Sequence, residues 1–204
     1  MPLTTETSAD LEAIGGEIVE HSRAVAELAG QVADELGMDP AGREEVTLAA
    51  MYHDVGKLEV PIEILDKPSA LTGDEFELVK THTIHGEAIL ERAGDRLAPV
   101  ASIVRACHER WDGEGYPDGL AGEDIPLGAR IVFCCDAYDA MTSDRSYRAA
   151  MGHVDAGAEL LGCAGTQFDP DVVEALLTVL ARRSRRSQRG AGVTPLAARR
   201  VRAA

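Results

Sequence analysis

"LAAMYHDVGKLEVP", residues 48–61, reads as a helix running to its end. Asp39 can cap that helix, and Pro40 suits its first position. The apolar pattern then continues towards His53 and is expected to stop at Gly56. Just before the break stand His53 and Asp54, an adjacent imidazole and carboxylate able to reach one cation. The carboxylate has two oxygens, so it can also bridge two cations about 3.5–4 Å apart, which an imidazole cannot. Lys57 follows one helical turn beyond His53.

Outward from this break, almost every segment reads helical. Towards the N-terminus, Leu11, Ile14, Ile18, Val25 and Leu28 recur at helical spacing over residues 8–36, with Ser8 as N-cap. Towards the C-terminus, Thr72 and Glu75 form a capping box. The helix they open is expected to run through His82 to about Arg92. A fourth helix over "LAPVASIVRACHER" (97–110) ends in the glycine-rich "ACHERWDGEGYPDGLAGEDIP" (106–126), with His108 at its lip. A fifth starts at Pro126 and carries "LGARIVFCCDAYDAM" (127–141), and two more follow at 153–162 and, capped by Asp169, at 169–183. Period-2 alternation and internal repeats are missing. The expected class is all-α: one helical domain over residues 1–181, then an Arg-rich flexible tail over 182–204.

Composition agrees with a packed body. Of the 204 residues 45% are hydrophobic, with one Trp and three Phe, so the core must be mostly Leu, Val, Ile, Ala and Met. The net charge is −15, yet eight of the 20 basic residues, and none of the 35 acidic ones, lie in the final 23 positions. The body is therefore strongly acidic, which disfavours duplex nucleic acid and suits carboxylates gathered around cations. No stretch approaches the ~18 apolar residues of a membrane span. The start, "MPLTTETSADLEA", has neither a basic nor an apolar leader region, so a cytoplasmic protein is expected. Cys107, Cys134, Cys135 and Cys163 lack CxxC spacing and are expected to be reduced.

Several groups with chemistry fall on this scaffold. Glu17 and His21 are i and i+4 on one helix face. His82 lies within the third helix, and Asp136 and Asp139 sit one turn apart on the fifth. Each alone would suit a solvated pair or an ordinary core residue; His85 and His153 have no partner by spacing and read as surface residues. Together, mixed His and carboxylate groups from several helices suit iron, manganese or similar ions better than structural zinc. Buried acids in that number need cations to neutralise them.

"HDVGK" at 53–57, His82 one helix later, "HERWDGEGYPDGL" at 108–120 and "ARIVFCCDAYDAMTSDRSYR" at 129–148, in that order, resemble the HD-GYP family. That family is a branch of the HD-domain metal-dependent phosphohydrolases. "KPSALTGDEF" and "GLAGEDIPLGARI" lie between them, and the resemblance extends from about Glu17 to "GTQFDPDVV" at 165–173. It implies a helical bundle with two or three divalent ions, iron or manganese, hydrolysing the bacterial messenger cyclic di-GMP to pGpG or GMP. A hydroxide activated by the metals is the expected nucleophile. The implied ligands are His21, His53, Asp54, His82, Cys107, His108 and Asp136, with Asp54 bridging and Glu17 available to a third ion. Lys57 would hold the substrate phosphate or its developing charge, Arg145 and Arg148 the nucleotide. Gly115, Tyr116 and Pro117 would form a loop over the site that could also receive a signalling-protein partner. Most members carry a fused sensor or receiver domain, and none is expected within these 204 residues.

One position departs from the pattern. Cys107 stands where the family has the first of two adjacent histidines. A thiolate there would change geometry and metal preference, or the site would lack a ligand, or oxidation would disable it. Two alternatives therefore remain open: hydrolysis of another nucleotide, such as (p)ppGpp, a dNTP or another cyclic dinucleotide, and a catalytically weak protein that binds the messenger or docks on a partner.

Overall fold

In a computed structural model, residues 16–144 and 149–191 are described, with side chains over 19–144 and 149–186. The helices among them are α1 (Gly16–Glu35), α2 (Pro40–Tyr52), the single turn α3 (Ile62–Leu65), α4 (Gly73–Lys80), α5 (His82–Arg92), α6 (Ala98–Arg105), α7 (Leu127–Thr142), α8 (His153–Gly162) and α9 (Pro170–Ala191). Only isolated bridges, His108 with Tyr116 and Ala164 with Phe168, accompany them among the described residues. The fold is an all-α bundle.

The bundle follows from where small apolar residues fall. On α1, Val25, Ala26, Leu28, Ala29, Val32 and Ala33 are all buried, a wide stripe that packs on α2, where Val46, Ala49, Ala50 and Tyr52 are buried in turn. Helix α7 is buried on most of its faces, through Gly128, Ala129, Ile131, Val132, Cys134, Cys135 and Tyr138. It packs against α1, α2, α6, α8 and α9. A helix apolar nearly all round has to be central, and α7 carries Asp136 into the middle of the molecule.

Local signals act as expected at two starts. The Asp39 carboxylate accepts from the Gly42 amide at 2.8 Å, and Thr72 with Glu75 closes a reciprocal capping box at α4. Three expectations change. The helix foreseen from Thr72 to Arg92 breaks at Thr81, so His82 opens α5 rather than lying inside a longer helix. Helix α6 stops at Arg105, leaving Cys107 and His108 in the turn beyond it. At the C-terminal end α9 continues beyond the expected residue 183 to Ala191, and on it Arg182 binds Glu35 while Arg183 binds Gln31 and Glu27 on α1. The acidic body thus holds the first two arginines of the basic stretch in its last helix. Residues 192–204, and Ser8 with the rest of 1–15, lie outside the described residues.

The break at 53–59 has a cause other than helix termination. Helix α2 ends at Tyr52, and a 3-10 turn spans Val55–Glu59. A Cβ built on Gly56 would stand 1.9 Å from the His82 carbonyl oxygen and 2.5 Å from the Gly86 amide nitrogen. Glycine is needed there because backbone meets backbone, which brings the first turn of α5 against the His53–Asp54 turn.

Candidate metal centre

Two groups of side chains converge where α1, α2, α5 and α7 meet the glycine-rich loop. His21, His53 and Asp136 form one, and Asp54, His82 and His108 the other; within each, candidate ligand atoms lie within 4.8 Å of one another. His21 Nε2 is 3.1 Å from Asp136 Oδ1, which is 3.9 Å from His53 Nε2. Asp54 joins the groups: its Oδ2 lies 3.5 Å from His53 Nε2 and its Oδ1 3.8 Å from His82 Nε2. One carboxylate therefore turns an oxygen towards each group, the arrangement a bridging ligand needs.

The histidines are held ready for a cation. His53 Nδ1 lies 2.8 Å from the Ala50 carbonyl, and His82 Nδ1 lies 2.7 Å from the Val79 carbonyl. A carbonyl oxygen can only accept, so Nδ1 donates in both rings and Nε2 is the nitrogen turned towards Asp54. His82 Nε2 is buried without a hydrogen-bond partner. An orphaned buried acceptor among carboxylates fits a divalent ion.

Electrostatics follow from burial and pairing. Burial and the neighbouring His82 push His108 down to about 3, so its imidazole is neutral at pH 7. His82 is also lowered, chiefly by burial. Burial would raise Asp54, but the charges of His53 and Lys57 overcome it and hold the carboxyl well below its usual range. Asp136 is likewise held at about 2, burial being outweighed by its bond to His21. For His21, burial opposes the charge, yet Asp136 and Asp139 together raise it to about 9. Loading a cation there must therefore displace a proton.

Of the expected substrate groups, Lys57 sets its ammonium 2.7 Å from Asp54 Oδ2. The loop does turn back over the second group. The Tyr116 amide donates to the His108 carbonyl at 3.2 Å, and its ring stacks on His108 with centroids 5.2 Å apart. Gly115 is required there, since a Cβ would come within 2.3 Å of the Arg110 amide nitrogen. Pro117 follows Tyr116 across a cis peptide bond. Arg145 and Arg148 lie outside the described residues, as does the Glu17 side chain, although its backbone belongs to α1.

Cys107 is buried beside the centre but belongs to neither group. Burial pushes its thiol well above the ordinary value, and the charges of Asp54 and Asp136 add to that. Without a cation it is a neutral thiol.

Three residues outside the expected set support the site. Asp139 Oδ2 lies 2.6 Å from His21 Nδ1 and fixes that ring's orientation; its place one turn after Asp136 was the available signal. Glu109 is buried, and its Oε1 accepts from the Asp118 and Gly119 amides at 2.6 and 3.1 Å. Arg105 grips both oxygens of Asp118 and reaches Glu87. Glu109 and Arg105 thereby anchor the far side of the loop, contacts that spacing along the chain cannot reveal. Asp139→Asn is expected to lower metal affinity by about 10- to 100-fold, as removal of an orienting carboxylate does. Titration with Mn²⁺ checks it, and wild-type affinity would remove Asp139 from the site. His153, by contrast, pairs with the Tyr138 hydroxyl at 2.8 Å and takes no part.

A helical domain gathering two His–carboxylate groups around one shared aspartate has the architecture of a metal-dependent hydrolase core. Comparison with known proteins agrees: a family profile described as HD domain matches residues 12–172. The chain belongs to the HD-domain family, and the HD-GYP resemblance carried by its motifs holds. It is 41% identical over 162 residues to a cyclic di-GMP phosphodiesterase of Thermotoga maritima, covering 79% of this chain and 44% of that protein. It is 36% identical over 168 residues to 3'3'-cGAMP-specific phosphodiesterase 2 of Vibrio cholerae, covering 82% of this chain and 32% of that one. The chain thus spans less than half the length of these curated relatives. Its fold is similar to that of Bd1817, an HDG"Y"P protein from Bdellovibrio bacteriovorus, with a TM-score of 0.65 at 23% identity over 80% of this chain and 52% of that one. No helix among the described residues is long and apolar enough to cross a membrane.

Proposed function

We propose that this chain is a metal-dependent phosphodiesterase that hydrolyses cyclic di-GMP to pGpG or GMP. The observation that carries this is Asp54, whose two oxygens face His53 and His82 in separate ligand groups. His21, His53 and Asp136 would hold one ion, His82 and His108 the other, with Asp54 shared. The mixture of imidazole and carboxylate supports iron or manganese. Glu17, one turn before His21 on α1, would serve a third. Divalent cations held there supply Lewis acidity and lower the pKa of water towards neutrality.

The chain's own groups do the remaining work. Lys57, part-exposed beside Asp54, would offset charge on the phosphoryl oxygens with its ammonium. Tyr116, stacked on His108, would flank the substrate, and Gly115 lets the loop backbone approach closely. Arg145 and Arg148, with planar forked donors, suit a nucleotide phosphate. Cyclic di-GMP is favoured because the Thermotoga relative is named for it; the Vibrio relatives named for 3'3'-cGAMP make that ring the second reading.

The test is anaerobically purified protein loaded with iron or manganese and offered cyclic di-GMP, 3'3'-cGAMP, pGpG, ppGpp and dGTP in parallel. Turnover of cyclic di-GMP with two or more metal equivalents is expected. A folded preparation holding no metal, or cleaving only ppGpp or dGTP, would overturn the reading. The same assay addresses Cys107. Cys107→His is expected to raise metal loading and turnover several-fold by adding an imidazole beside His108; unchanged loading would assign Cys107 to packing alone.

A further inference from the structure

Phe76 is 46% exposed, although it is one of only three phenylalanines in the chain. Phe133 and Phe168 turn inward and pack on each other, with centroids 5.3 Å apart. Phe76 instead meets the edge of Tyr116, centroids 6.5 Å apart at 79°. Tyr116 in turn lies nearly parallel to His108, at 5.2 Å and 23°. A continuous aromatic path thus runs from the second ligand group to the rim formed by α4. Lys80, one turn beyond Phe76, sets its ammonium 5.0 Å from the Phe76 centroid and 5.6 Å from that of Tyr116. Its partner Glu77, at 2.6 Å, is exposed, and such pairs exchange easily with a ligand.

We infer that Phe76 is a specificity-determining residue: its ring, with Tyr116, stacks a purine base of the cyclic dinucleotide while Lys80 meets the base edge. The inference rests on the proposed function and names a base subsite within it. A phosphate at the metal groups puts its own base one sugar away, and the aromatic path leads outward from those groups in steps of 5.2 and 6.5 Å to the exposed Phe76. Any base offers a π face to stack on an aromatic ring. The Lys80 cation then selects among bases, because guanine presents O6 and N7 as acceptors where adenine presents an amino donor.

The full chain loaded with manganese is titrated calorimetrically with a phosphorothioate analogue of cyclic di-GMP that resists hydrolysis, and KM is measured with cyclic di-GMP itself. Phe76→Ala is expected to raise both Kd and KM about tenfold, with metal content equal to wild type. Phe76→Trp restores binding, whereas Phe76→Leu, apolar but without a π face, does not. Lys80→Met is expected to reduce the preference for cyclic di-GMP over cyclic di-AMP several-fold. Wild-type affinity in Phe76→Ala, or Leu serving as well as Trp, overturns the subsite while leaving the proposed function standing. Wild-type protein that binds no cyclic dinucleotide defeats the proposed function, and the subsite with it.

Discussion

Asp54→Asn is expected to reduce bound metal from two equivalents to one or fewer and to lower phosphodiesterase turnover on the order of a thousandfold. The substitution keeps the shape of the side chain but removes its charge, and it replaces one oxygen with an amide that can only donate. Since Oδ2 faces His53 and Oδ1 faces His82, one of the two ligand groups must then confront an NH₂. A cation pair contributes several kcal/mol to phosphoryl transfer, and each 1.36 kcal/mol is about tenfold in rate. The fold should persist, because Asn keeps the shape of the side chain and Lys57, the partner left behind, is part-exposed to water. Metal analysis, turnover and a thermal melt distinguish these effects. Two equivalents of metal and wild-type turnover in the variant would show that Asp54 does not bridge.

Gly56→Ala is expected to destabilise the protein by about 3 kcal/mol, at the upper end of the cost of overpacking. For a body of this size that is a fall in Tm of about 6–12 °C. The methyl group would sit 1.9 Å from the His82 carbonyl oxygen and 2.5 Å from the Gly86 nitrogen, so two backbones must separate. That movement also draws His82 away from Asp54 Oδ1, now 3.8 Å from its Nε2. Metal affinity at the second group should fall with stability, whereas Gly73→Ala, with open space around its Cβ position, should leave both unchanged. A Gly56→Ala protein that melts with wild type would mean that the turn and α5 are not in contact.

The contrast between these two glycines separates what the chain declares from what it conceals. The helical class was legible because apolar residues recur at helical spacing and because Asp39, Thr72 and Asp169 mark starts with side chains that cap. The candidate groups that the structure brings together were legible for a different reason. His53 and Asp54 are adjacent, and the order of His82, His108 and Asp136 along the chain is distinctive enough to resemble a family. The supports of the site were not legible. Asp139 reaches His21 across 118 positions, and Arg183 reaches Gln31 across 152; no local rule pairs such residues. Gly56 shows the same limit, since a glycine after a helix reads as a terminator until the backbone opposite it is known.

Residue types and their periods along the chain were enough to dictate an all-α body and, with the order of its motifs, to mark imidazoles and carboxylates as candidate metal ligands. Which candidate ligands stand together, which ring nitrogen of His53 and His82 faces a backbone carbonyl, and that Cys107 stands in neither group depended on packing. Those outcomes are set by distances of 3–4 Å between side chains brought together by packing, through the burial of α7 and the close approach of Gly56 to α5.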